Sequence, residues 1–151
     1  MEKQGTPVLL TLLATSKNER GEANEPIRLM TTGELKKAPS GYMLRYQESQ
    51  TDENDGSVLT QDIILMLQEG RVTMTRLGDY GTSMVFVKDR RFEGAYRTPF
   101  GELEMALFAT QVHVNVGPEK GSVHLEYQLD IQGGFASMHT MQLEYSAGEA
   151  Q

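Results

Sequence analysis

The stretch GAYRTPFGELEMALFATQVHVNV, Gly94 to Val116, decides how this chain is read. Pro99 fixes φ and Gly101 accepts positive φ, so TPFG makes a tight reversal between two strands. Beyond it no glycine, proline or asparagine occurs between Gly101 and Val114. The apolar residues first fall on odd positions, Leu103, Met105 and Leu107, and then on even ones, Phe108, Val112, Val114 and Val116. Side chains alternate strictly along a strand, so one register cannot keep both sets inside. A β-bulge between Phe108 and Thr110 restores the alternation and bends the strand. The alternative is two strands joined irregularly at Ala109 and Thr110. The bulge is preferred, because a long bulged strand can serve two walls of a sheet that curls on itself.

Working outward, the same period of two recurs along most of the chain. Val123, Leu125, Tyr127, Leu129 and Ile131 alternate with polar residues, as do Tyr42, Leu44 and Tyr46 with Met43, Arg45 and Gln47. This is the pattern of strands with one buried face. Punctuation such as DENDG, EG, TPFG, GPEKG and QGG separates them. The reading predicts about ten strands, at 7–17, 25–33, 41–50, 57–68, 71–77, 80–88, 91–98, 101–116, 121–132 and 135–146. The best helical candidate, TQDIILMLQEG, is better read as a strand, because only EG separates it from RVTMTR and two residues make a hairpin. Short connections favour an antiparallel meander, and closure into a barrel of eight to ten strands removes its free edges. A single domain over 1–151 is expected, frayed from 146 onward.

Composition narrows function. A chain of 151 residues can bury roughly 68–70% of its unfolded surface and needs no metal or disulfide to hold a core. The absence of cysteine excludes thiolate nucleophiles and cysteine-ligated metals. A net charge of −7 with scattered basic residues argues against nucleic acid as a partner. The apolar run Val8–Leu13 is too short to span a bilayer and lacks a signal-peptide pattern, so no membrane partner and a cytoplasmic location are expected. His113, His124 and His139 show no metal-ligand spacing, and TDENDG lacks the twelfth-position glutamate of a calcium loop. No catalytic motif, metal or cofactor is expected.

The segments RYQES at 45–49, TRLG at 75–78, AYRTPFGEL at 95–103 and HLEYQLDI at 124–131 resemble, in order and spacing, the YwiB-like family of small bacterial proteins. The resemblance covers roughly residues 7–146. It implies a calycin-like β-barrel, related in shape to lipocalins and fatty-acid-binding proteins. It implies no reaction, since none is established for the family.

Within the strands, some polar residues share parity with the core. Tyr42, Leu44 and Tyr46 lead to Glu48, Val72 and Met74 lead to Arg76, and the odd face of the last strand carries His139 between Ser137 and Met141. A buried charge needs a partner, so Arg76 is expected to pair with Glu48, with Tyr46, Tyr96 or Thr98 completing the hydrogen bonds. Tyr46, Glu48, Arg76, Tyr96, Thr98 and His139 are the candidate ligand-binding residues. The plainer reading, which is preferred, is an internal salt bridge that fixes strand register, or strand ends where the residues reach water. The nine methionines are either walls of an adaptable cavity or core filler.

Three functions compete. The first is a barrel holding a small apolar or anionic ligand. The second is a barrel with a filled interior whose outer residues, Met30, Met43, Ile64, Met66, Val85 and Val87, bind a protein, a second copy of the chain included. The third is an enzyme using Glu48 and His139 as an acid–base pair.

Overall fold

The computed structural model of the protein describes residues 5–51, 54–78, 81–98 and 101–147, with backbone alone at 50, 51, 59, 96–98, 135 and 136. Ten strands follow one another: β1 (Thr6–Asn18), β2 (Ile27–Ala38), β3 (Gly41–Thr51), β4 (Val58–Gln68), β5 (Arg71–Arg76), β6 (Thr82–Val87), β7 (Arg91–Thr98), β8 (Gly101–Val116), β9 (Lys120–Ile131) and β10 (Gly134–Ala147). No helix occurs among the described residues. Each strand pairs antiparallel with its neighbour in sequence, except that β6 and β7 do not pair, and β10 returns to pair with β1. The result is a nearly closed ten-stranded barrel with one seam.

Three backbone or hydroxyl contacts hold the seam among the described residues. The Asp89 amide donates to the Ala109 carbonyl at 2.7 Å. Lys88 and Ala109 form an isolated parallel bridge. The Thr82 hydroxyl donates to the Ala95 carbonyl at 2.9 Å. The inner faces of the strands supply the core, in which Leu10, Leu44, Leu65, Phe86, Leu107, Leu125 and Leu143 are fully buried.

The segment with the helical alternative is β4. Ladders to β3 and β5 satisfy its backbone on both sides, and Gln68 pairs with Arg71 around Glu69–Gly70, where Gly70 has φ +71°. The TPFG reversal is bounded by the pair Thr98 and Gly101, with Gly101 at φ +122°, while Pro99 and Phe100 lie outside the described residues.

The parity change in β8 is a bulge. Ala109 faces Tyr127 and Gln111 faces Glu126, so Thr110 is the extra residue, and its hydroxyl donates to the Glu126 carbonyl at 3.1 Å. Leu107 is buried and Val112 packs against the core despite opposite parity. Phe108 departs from expectation: it is 37% exposed and points outward. The last inner residue before the bulge is Ala109, whose small side chain sits opposite the Tyr127 ring. A lone outward phenylalanine is tolerated on any soluble surface and misleads a parity count.

Two boundaries and one parity reading are also corrected. The second strand, expected to stop at 33, continues to Ala38, because Leu35 extends the inner row and pairs with Leu44. Gly33 does not end the strand: a Cβ there would stand 2.8 Å from the Arg45 carbonyl oxygen, so the sheet needs glycine for close approach. In β10 a second bulge separates Phe135 from Ser137, which breaks the odd face that parity carries back to Phe135. Ser146 and Ala147, expected to be frayed, pair with Leu9 and Val8.

Candidate functional site

At one end of the barrel the inner side chains leave a cavity of about 650 Å³. Its polar wall is built on β3 and β5. Glu48 stands opposite Gln61 of β4, and Arg76 stands opposite Ile63 on the other side of the same strand. Two strand spacings separate their backbones, about 10 Å. Only long side chains pointing to the same face can close that gap, and these do: Arg76 Nη2 lies 3.2 Å from Glu48 Oε1. The two side chains are 25% and 26% exposed, so the pair is shielded but not deeply buried.

Tyr46 lies one inner position below Glu48 and is only 3% exposed. Its hydroxyl has no hydrogen-bond partner among the described residues. Burial pushes its pKa well above the ordinary phenol range, the Glu48 carboxylate adds to this, and Arg76 opposes it.

The facing wall comes from β9 and β10. The Tyr127 and His139 rings stack at 5.0 Å between centroids with an interplanar angle of 7°. Phe86 meets Tyr127 edge-on at 4.9 Å. Burial pushes the Tyr127 pKa up to about 12, against an opposing pull from the Arg76 charge. The Tyr127 hydroxyl also has no hydrogen-bond partner among the described residues. His139 Nε2 bonds to Ser137 Oγ at 2.5 Å, and desolvation lowers its pKa, which favours the neutral ring. The rest of the lining is mainly apolar, with Met74, Met84, Met105 and Met141 among it, and also includes Arg28 and Ser49.

Four of the six candidate residues, Tyr46, Glu48, Arg76 and His139, therefore line one cavity. The side chains of Tyr96 and Thr98 lie outside the described residues. Glu48 and His139 line the same cavity, and no hydrogen bond joins them among the described residues. Reading by parity passed over Tyr127, which looked like one more apolar member of the row from Val123 to Ile131. Thr82, the buried polar residue of the seam, was passed over for the same reason.

Other depressions flank the barrel. One of about 450 Å³ lies along the seam and shares Arg76 with the interior cavity. Another, of about 660 Å³, lies outside the barrel beside the Gly117 turn, where the outward residues Leu9, Thr11, Glu144 and Ser146 form much of the lining. The one buried side chain in its lining that carries a polar group, Tyr145, is already bonded to Gly117. No cluster of three or more His, Asp or Glu able to hold a metal occurs among the described residues, and no helix there is long and apolar enough to cross a membrane.

Residues 13–143 match the family described as "Domain of unknown function (DUF1934)". The chain belongs to this family. It is 27% identical over 147 residues to the "Uncharacterized beta-barrel protein YwiB" of Bacillus subtilis (strain 168), covering 97% of each chain. The crystal structure of the ywiB protein from Bacillus subtilis matches with a TM-score of 0.80 at 25% identity, over 97% of this chain and 95% of that one. The chain thus shares the fold of this relative, whose printed name carries no activity.

Proposed function

We propose that this DUF1934 protein is a cytoplasmic, calycin-like barrel that holds one small molecule in its interior and acts as a carrier or sensor without catalysing a reaction. The observation that carries this reading is the cavity of about 650 Å³ that ends at the Arg76–Glu48 bridge. That size lies within the range of small-molecule sites, and a mainly apolar wall with a few convergent polar groups is their usual make-up.

The second reading is an interaction barrel, with a second copy of the chain as partner. In its favour, Met43 of β3 stands opposite Met66 of β4, and Thr73 of β5 opposite Val85 of β6, in one outward row. Met30, 71% exposed, lies two strands away from Met66, pairs with Thr11, and does not extend this row. The cavity weighs for the first reading.

The test is occupancy of the interior. An uncharged fluorescent probe such as 1-aminoanthracene is expected to bind saturably at one site per chain. Ala14→Phe, which places a ring in the cavity, is expected to abolish binding while circular dichroism stays unchanged. Binding that survives Ala14→Phe would place the probe on the outer surface and count against the reading.

A further inference from the structure

The two ends of the barrel treat their inward tyrosines differently, Tyr145 and Tyr46 being buried and Tyr127 partly so. At the closed end Tyr145 is satisfied twice: its hydroxyl donates to the Gly117 carbonyl at 2.7 Å and accepts from the Gly117 amide at 3.2 Å. At the cavity end the Tyr46 and Tyr127 hydroxyls have no hydrogen-bond partner among the described residues, although both line the cavity. Buried polar groups are almost always hydrogen-bonded, and one left alone is costly, so two that converge on one space mark what that space is made to receive.

The charges beside them narrow the guest. Arg76 and Glu48 cancel, and the bridge uses a single prong on each side, Nη2 to Oε1. Glu48 Oε2 is left as an acceptor, and the remaining guanidinium N–H groups are left as donors. A second carboxylate at Arg76 would compete with Glu48 for the same guanidinium and lie against the Glu48 charge, although Arg28 also borders the cavity. An uncharged group that both donates and accepts meets no such penalty. The shape of the opposite wall completes the picture: the parallel pair Tyr127 and His139 offers a flat surface, and the four methionines offer soft, adaptable sides.

We infer that the cavity takes an uncharged, planar, ring-bearing molecule with an amide-like edge, its N–H directed to Glu48 and its C=O to Arg76 and the tyrosine hydroxyls. This rests on the interior-binding reading and makes it specific.

Three tricyclic probes of like size test it: phenanthridin-6-one, which has the amide edge, phenanthrene, which lacks it, and phenanthrene-9-carboxylate, which is anionic. Fluorescence titration of the purified protein is expected to rank the lactam first. Glu48→Gln and Tyr46→Phe, each confirmed folded by circular dichroism, are expected to weaken lactam binding about tenfold or more and to leave phenanthrene unchanged. Glu48→Gln keeps the side-chain shape and carries the test if Tyr46→Phe fails to fold. If the carboxylate binds tightest, or if lactam and phenanthrene bind alike and Glu48→Gln changes neither, the amide-edge inference is overturned while interior binding stands. If no probe binds the wild type, interior binding falls as well.

Discussion

Arg76 and Glu48 meet at 3.2 Å across the full width of β4, each about a quarter exposed. The contact ties β3 to β5 without pairing them and sets the polar limit of the cavity.

The strength of this contact follows from its partial burial. Exposed pairs contribute about 0–1 kcal/mol, and breaking a deeply buried one costs about 3–5 kcal/mol. A pair at this depth is expected to show a coupling of roughly 1–2 kcal/mol in a double-mutant cycle of Arg76→Met and Glu48→Leu, read by urea denaturation. Additivity within about 0.3–0.5 kcal/mol would mean that the two side chains are energetically independent.

The bulge at Thr110 makes residues of opposite parity equivalent. Leu107→Ala is expected to cost about 2–5 kcal/mol, as for other buried leucines. Val112→Ala should cost less but still clearly destabilise, whereas Phe108→Ala on the outer face should stay within about 0.5 kcal/mol. A Phe108→Ala cost matching that of Leu107→Ala would put both on the inside and remove the bulge from its observed place.

Much of the fold can be read directly from the residues, because one-sided burial writes a period of two into each strand. The bulge in β8 is legible too, because Leu107 and Val112 cannot both be inside otherwise. Its exact position is not, because an apolar Phe108 on the outside looks the same as one on the inside. The bulge after Phe135 leaves no parity conflict, since Gly133, Gly134, Ala136 and Ser137 carry little hydrophobic signal. For the site, Glu48 and Arg76 stand out as charges on an apolar face. Tyr127 does not, because a tyrosine in a core row shows its ring to the pattern and hides its hydroxyl.

The seam should open more readily than any paired strand. Thr82→Val removes the hydroxyl bond to the Ala95 carbonyl and is expected to cost about 0.5–1.5 kcal/mol. Hydrogen exchange in the variant is expected to quicken within β6 and β7 and to stay unchanged in β1 and β10. Uniform quickening across the barrel would show that the seam does not open as a separate unit.

The two interior-facing and exterior-facing histidines of β10 and β9 should titrate in opposite senses. His124 bonds Glu126 at 2.9 Å through Nε2 and Gln142 at 2.7 Å through Nδ1, so the imidazolium is favoured and its pKa is raised, by Glu126 first and Gln142 second. Its contribution to stability is in full force below the ordinary value of 6.5 and is lost as pH rises through the raised folded-state pKa. His139 is lowered by desolvation, so its contribution is in full force above 6.5 and is lost as pH falls from there through its depressed folded-state pKa. Proton NMR titration of the two rings is expected to give the higher midpoint for His124. The reverse order would contradict the placement of His139 against the cavity wall.

The most direct measurement is native mass spectrometry of the protein purified without denaturation from its own host. The expected result is a mass that exceeds the chain by one small, uncharged molecule, released on unfolding and absent from Ala14→Phe. A bare chain, recovered intact under conditions that preserve a known barrel–ligand complex run alongside, would contradict an occupied interior.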